Sequence, residues 1–408
     1  MTPADQRWIP ARRCRGVLAG LALVLLGGCA APPPPPPLPH SAYVWQRQWD
    51  DALRAALRDS RADFAGLRVL ALQRDARGNW IETAPDLAAL RADGRALVLV
   101  ARLDGSAPDW PGVELAARLN ALLQRWHEAG LAAAVEIDHD CASARLAGYA
   151  QQLTALRRQL PAQTRLSITA LPAWTAASDL PALLAAVDES VLQVHAVASP
   201  AAGLFDAAQA LRWSQAWAQR SRKPFLLALP AYGARLKLAA DGAVEAVESE
   251  QSLPRRSVGE RELKVDPAAV AGLLRQLQTQ RPAQLAGVIW FRLPRAGDRR
   301  AWSLPTLQAV IHAQPLRPRL RLQQQAQADG AIDLVLDNEG SLDAPLPRYW
   351  RVQGDCPAGD AASGYVFERD GAGAVFRLAD ADDLRAGGRR PLGWLRCRGG
   401  APVLTQSD

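Results

Sequence analysis

The sequence predicts an α/β chain, a (β/α)8 (TIM) barrel followed by a small C-terminal all-β, sandwich-like domain. Between Ser41 and residue 316, eight short β-type runs alternate with helical runs. That is the element count of such a barrel, and a span of about 275 residues suits its size. Beyond residue 317 helical periodicity stops, and short alternating runs are broken by Gly, Pro, Asp and Asn, as in small sheets joined by tight turns. With 49% hydrophobic residues in 408, the chain can bury a large core, which excludes a largely disordered chain.

Taken in order, residues 1–28 read as a removable leader. Arg7, Arg12, Arg13 and Arg15 form a positive start, and Gly16 to Leu26 is an apolar run. At about eleven residues the run is too short to span a bilayer but suits a signal peptide. Leu26-Gly27-Gly28-Cys29 resembles the bacterial lipobox, which implies cleavage before Cys29 and diacylglycerol on its sulfur. Ala30, rather than an aspartate, follows, which resembles an outer-membrane sorting signal. The expected address is therefore the cell envelope, lipid-anchored at Cys29 in the outer membrane and facing the periplasm. Residues 29–40 form a spacer. The run Pro32 to Pro37 followed by Leu38-Pro39 favours polyproline II, which holds the body roughly 25 Å from the lipid. No other stretch is long and apolar enough to span a membrane.

The barrel is expected over 41–316, with strands at 43–48, 66–73, 96–103, 133–140, 165–171, 190–197, 224–230 and 286–293. Helical patterns fall at 113–129, 144–159, 204–221 and 266–280, and weaker ones at 50–60, 84–92, 180–188 and 302–313. Leu115, Leu119, Leu122, Leu123 and Trp126 lie on one face of the third helix. Asp266-Pro267 is an N-cap followed by proline at the first helical position. The segment 234–265 is too long for a plain loop, and Leu236 to Glu250 alternates around Asp241-Gly242, a favoured hairpin turn. Such a hairpin is either a lid over the barrel mouth or a surface excursion. A doubly wound open sheet is the rival fold. It often carries a glycine-rich phosphate turn, and neither G-x-G-x-x-G after the first strand nor a Walker A loop occurs.

The formal charge is +7, and only Lys223, Lys237 and Lys264 among 48 basic residues are lysines. The arginines are scattered rather than striped, so no nucleic-acid partner is expected. No cofactor or resident metal is expected either. Of the five cysteines, Cys14 falls in the leader and Cys29 carries lipid. Cys356 and Cys397 both lie in the 317–408 domain and are expected to pair in an oxidising compartment, leaving Cys141 as a buried thiol.

In such a barrel, polar residues at strand C-termini face the site. The fourth strand reads Val135-Glu136-Ile137-Asp138-His139-Asp140. Alternation puts Glu136, Asp138 and Asp140 on one face and the apolar side chains on the other. The valine and isoleucine belong against the outer helices, so all three carboxylates point into the barrel. Crowded like charges raise a carboxyl pKa, the condition for a general acid. Two other readings stay open: Glu136 paired with an interior arginine such as Arg102, or carboxylates holding Ca²⁺ or Mg²⁺. The strand-end aromatics Trp45, Trp174, Tyr232 and Trp290 would suit the flat C–H faces of sugars, or pack the core. His195, with Gln193 two residues before it, completes the set.

Glu136-x-Asp138-x-Asp140 resembles the D-x-D-x-E ending the fourth strand of family-18 glycoside hydrolases, the chitinase-like enzymes. Leu229-Pro230-Ala231-Tyr232-Gly233 and Gly287-Val288-Ile289-Trp290 are similar to that family's seventh and eighth strands. The resemblance implies Asp140 as acid and Asp138 as the partner that helps the substrate's own acetamide attack. Tyr232 and Trp290 fall where that family holds its sugar, and Glu136, Gln193, His195, Trp45 and Trp174 join them as the expected substrate-binding residues. Here Asp140 is one methylene shorter than the family's glutamate, and His195 stands where a tyrosine is usual. The chain also resembles a bacterial lipoprotein family, domain of unknown function 3142. That likeness rests on Tyr43-Val44-Trp45-Gln46-Arg47, Ile137-Asp138-His139-Asp140-Cys141, Ser167-Ile168-Thr169-Ala170-Leu171-Pro172, Leu192-Gln193-Val194-His195 and Gly393-Trp394-Leu395-Arg396-Cys397.

The expected function is thus an envelope protein acting on a glycan or peptidoglycan fragment. Either it hydrolyses an N-acetylhexosamine polymer, or it binds glycan or serves envelope assembly without turnover.

Overall fold

The computed structural model describes residues 36–105, 110–195, 203–239, 244–248, 260–298, 300–370 and 373–407. The leader, Cys29, most of the proline spacer and the Asp241-Gly242 turn lie outside the described residues.

Eight parallel strands close a barrel: β1 (His40–Val44), β2 (Gly66–Arg74), β3 (Ala96–Leu103), β4 (Ala133–His139), β5 (Leu166–Ala170), β6 (Glu189–Gln193), β7 (Phe225–Pro230) and β8 (Leu285–Phe291). Closure is explicit, because β1 pairs with β2 on one side and with β8 on the other. Eight helices interleave: α1 (Asp51–Asp59), α2 (Leu87–Asp93), α3 (Gly112–Glu128), α4 (Leu146–Arg157), α5 (Leu180–Ala185), α6 (Ala207–Arg220), α7 (Pro267–Thr279) and α8 (Leu304–Ile311). Most start where a short polar side chain replaces the missing helical acceptor. Asp50, Asp86, Asp206 and Asp266 accept backbone N–H bonds at 2.9, 2.9, 2.7 and 2.9 Å, and Ser303 accepts from Thr306 at 3.2 Å. Each such cap contributes about 1 kcal/mol.

The strands carry two sets of side chains because successive residues face opposite ways. Outward residues such as Val69, Leu99, Val135, Ile137, Ile168, Leu227 and Trp290 join the helices in the main core. α3 adds Leu115, Leu119, Leu122 and Trp126, all buried. A smaller inward cluster of Tyr43, Trp45, Leu70, Val100, Val191, Leu226, Ala228 and Ile289 fills the barrel.

The first strand begins three residues before its sequence-based limit of 43 and ends at Val44. His40 is already paired with Val288 and Ser41 with Gly66. After Val44 the chain turns out, and the Gln46 side chain donates to the Leu293 carbonyl at 2.9 Å. A short strand that the alternation did not announce, Trp80–Glu82, runs antiparallel to the end of β2. After β7, Gly233–Leu238 pairs with Val244–Glu248 as the expected hairpin, and also with Glu260–Lys264, making three antiparallel strands.

The C-terminal part is a six-stranded antiparallel sheet with a two-stranded companion. Its two longest strands, Tyr349–Ala361 and Arg389–Ser407, pair along most of their length. Leu334, Leu336, Trp350, Phe376, Leu392 and Leu395 form its own core. Cys356 and Cys397 are disulfide-bonded across those two strands, closing a sequence separation of 41. Opening a loop of that length costs about 3–4 kcal/mol on the chain-entropy account. Replacing both cysteines with serine is therefore expected to lower this domain's unfolding free energy by that amount, read from urea denaturation followed by tryptophan fluorescence. Cys141 is free and buried. Burial pushes its thiol up to about 11, which suits packing and not nucleophilic attack.

Candidate active site

The fourth strand divides its three carboxylates by depth. Glu136 is fully buried and accepts from the Tyr43 hydroxyl at 2.7 Å. It also pairs with the Arg68 guanidinium, whose second arm holds Glu189. Ser167 Oγ lies 3.4 Å from the same Glu136 oxygen. Burial opposes charge on both Glu136 and Arg68. It raises the Glu136 carboxyl against the pull of Arg68, while Glu136 and Glu189 keep Arg68 charged above its ordinary value despite burial. Glu136 is thus inward, as alternation requires, but it is locked in an ion network below the mouth and is removed from the substrate-binding set. Its partner is Arg68 on β2, not Arg102.

Asp138 sits one inward step higher. Thr169 Oγ1 on β5 donates to it at 2.7 Å, and Arg102 Nε on β3 lies 4.0 Å away. Arg102 also stands over the Trp45 ring, 5.6 Å from its centroid. Trp45, Arg102, Asp138 and Thr169 therefore form one contact chain along the mouth.

Asp140 follows the end of β4 and keeps contact with solvent. Gly105 packs against its backbone, and a Cβ there would lie 2.1 Å from the Asp140 carbonyl oxygen. The crowding of the mouth, and next the negative charge of Asp138, raise the Asp140 carboxyl to about 7; Arg102 opposes the rise and Asp104 adds to it. Because the side chain still reaches water, crowding is only partial desolvation. Gln193 Nε2 on β6 reaches Asp140 Oδ1 at 3.5 Å, the outer limit of a hydrogen bond.

Across the mouth, His195 Nδ1 lies 3.1 Å from the Tyr232 hydroxyl, and its ring stacks on Phe291 at 5.7 Å. Burial lowers this imidazole to about 4, so it is neutral at neutral pH. Its Nε2 is buried with no hydrogen-bond partner among the described residues.

Two of the sequence-predicted aromatics lie elsewhere. Trp290 packs outward, fully buried, beside His40 and Trp302, with Nε1 donating to His40 Nδ1 at 3.0 Å. The inward position at the end of β8 belongs to Phe291, which contacts Tyr43, Trp45, His195 and Tyr232 edge-on or stacked. Trp174 is also core. It lies in the short 3₁₀ turn Pro172–Ala176, donates to the Cys141 carbonyl at 3.0 Å and meets Tyr149 of α4. The mouth therefore brings together Asp138, Asp140, Gln193, His195, Tyr232 and Trp45 from the sequence-predicted set. Arg102, Thr169 and Phe291 join them, and sequence reasoning missed those three as site residues.

Residues 93–296, half of the chain, match the family described as Domain of unknown function (DUF3142). The chain belongs to that family. Residues 321–398 match a second one, Domain of unknown function (DUF8456). No curated protein matches the chain in sequence. Among solved structures, it is similar to a chitinase from Chromobacterium violaceum at 16% identity, covering 64% of this chain and 96% of that one with a TM-score of 0.47. It is similar to the spore cortex-lytic enzyme SleL of Bacillus cereus at 14% identity, covering 63% and 71% with a TM-score of 0.46. A chitinase from Bacteroides thetaiotaomicron aligns at 11% identity over 63% and 90%, with a TM-score of 0.47.

Proposed function

We propose that this DUF3142 protein is a glycoside hydrolase of the cell envelope, anchored through lipid on Cys29 in the outer membrane and facing the periplasm. The observation that carries the catalytic reading is the contrast between two neighbouring carboxyls. Asp140 reaches solvent with a pKa of about 7, while Asp138 is held by Thr169 and faces Arg102. A carboxyl half-protonated at neutral pH can donate to a glycosidic oxygen as its C–O bond breaks. The fixed Asp138 then orients an N-acetyl group, whose carbonyl oxygen bonds to the sugar carbon as the leaving group departs. Water then attacks the same sugar carbon, breaking its bond to the acetamide oxygen and giving its proton to the Asp140 carboxylate. Phe291, partly exposed, offers a ring surface for a sugar C–H face, and neutral His195 beside Tyr232 supplies polar contacts.

One observation favours a second reading, binding without turnover. Asp140 is a methylene shorter than the glutamate of the resembled motif, and misplacement by about 1 Å can cost a hundredfold in rate. The test is a panel of labelled glycans, including N-acetylglucosamine oligomers and peptidoglycan fragments, offered to the wild-type chain and to Asp140→Asn. Turnover by the wild type that disappears in the variant supports the hydrolase. Saturable binding by both with turnover by neither replaces it with the binding protein.

A further inference from the structure

A groove of about 2330 Å³ runs from the loops after β1, β7 and β8 to the C-terminal sheet. Its barrel end reaches Trp45 and Tyr232 of the candidate site. The C-terminal sheet is fastened along it by polar contacts. Lys264 Nζ meets Asp383 at 2.9 Å, and Arg385 donates to the Ala301 carbonyl at 2.7 Å. The volume exceeds the roughly 300–1,000 Å³ of a small-ligand pocket and suits several linked units.

Charge gives the groove its character. Ten of its lining residues are basic and six acidic. Residues 1–35 hold four arginines and one aspartate of a chain whose net charge is +7, so the rest carries +4. The lining's excess is four, and two of those charges, Arg295 and Arg377, meet Asp50 and Glu368 just outside it. Its acidic residues are largely engaged: Asp298 with Arg292, Asp343 with Arg385, Asp382 with Arg390 and Asp383 with Lys264. At the mouth end Arg47 is exposed and bonds the neutral Gln73 at 2.7 Å. At the sheet end Arg348 is exposed.

We propose that this groove binds an anionic glycan strand, one bearing carboxylate or phosphate groups, that continues from the barrel mouth across to the C-terminal sheet. The inference rests on the glycan reading of the mouth and narrows its substrate class. Planar guanidinium forks bind carboxylate and phosphate bidentately, whereas a neutral sugar offers no comparable return for displacing their water. Tyr349, partly exposed in the lining, offers a sugar-facing ring that a simple polyanion would not use.

The test uses full-length Asp140→Asn protein in detergent, which binds without cutting, and fluorescent hexasaccharides measured by anisotropy. The probes are oligogalacturonate for carboxylate, a phosphorylated oligomannose for phosphate, neutral N-acetylglucosamine hexamer, and inorganic polyphosphate. At low salt the charged hexamers should bind about tenfold tighter than the neutral one, with affinity falling as salt rises. The preference should vanish in Arg47→Gln/Arg348→Gln, whose melting temperature shows that it is folded. Whichever charged hexamer binds tighter identifies the anionic group. Equal binding of charged and neutral hexamers, or a preference that survives the double substitution, overturns the proposal. Polyphosphate binding as tightly as the sugars also overturns it. The hydrolase reading fails separately: absence of wild-type turnover on every glycan leaves the charge preference measurable, and turnover without charge preference removes only the groove.

Discussion

Arg68→Met is expected to lower the unfolding free energy by about 3–5 kcal/mol, the usual cost of stripping one partner from a buried ion pair. Among the described residues, Arg68 is the cation that pairs with both Glu136, which is fully buried, and Glu189, whose side chain is 19% exposed. Without it Glu136 keeps only the Tyr43 hydroxyl and the weaker Ser167 contact, neither of which offsets a buried negative charge. The variant should therefore bind a proton at Glu136, so its deficit should shrink as pH falls and grow as pH rises. Adding Glu136→Leu should recover part of the loss, because replacing both ions by apolar groups removes the desolvation cost that the pair carries. Chemical denaturation of the three proteins at pH 5 and pH 8 reads all of this. A single variant as stable as wild type at both pH values would show that the network is only polar filling.

That network also shows where sequence carried the site and where it stopped. On β4, charged and apolar residues alternate, so parity alone turned Glu136, Asp138 and Asp140 inward, and the structure places Glu136 and Asp138 there. Parity does not supply depth, and depth separates Glu136, paired with an arginine two strands away, from Asp138 and Asp140 at the mouth. On β8 every residue from Val288 to Phe291 is apolar. No polar residue marks the inner face, so Trp290 and Phe291 were indistinguishable by pattern. The register that pairs Trp290 with Ala42 and Leu229, both outward, settles it. Trp174 follows a proline at a strand end and reads as a rim aromatic. It is core because the 3₁₀ turn brings its indole back to the Cys141 carbonyl. The eight-fold alternation of elements was legible because it is local in sequence. The start of β1 was hidden because Leu38-Pro39 extends a proline run, and only pairing with β8 makes His40 a strand residue.

Asp140→Asn is expected to reduce kcat by about 10²–10⁴-fold, the contribution of a positioned general acid, with KM little changed. The amide keeps the shape and the reach of Gln193 but has no proton of suitable acidity to give. The pH dependence of the wild type makes the test specific. An acid with a pKa of about 7 is protonated below that value, so kcat/KM should hold through mild acid and fall as pH rises past about 7. Two neighbours must then move that limb in opposite directions. Asp138 raises the Asp140 carboxyl by its charge and Arg102 lowers it. Residual activity in Asp138→Asn should therefore fall off at lower pH than wild type, and in Arg102→Gln at higher pH. His195 is already neutral at the pH of this limb, so His195→Gln should change the rate without displacing the limb. A limb that moves with His195 and ignores Asp138 and Arg102 would take the proton away from Asp140 and give it to the imidazole beside Tyr232.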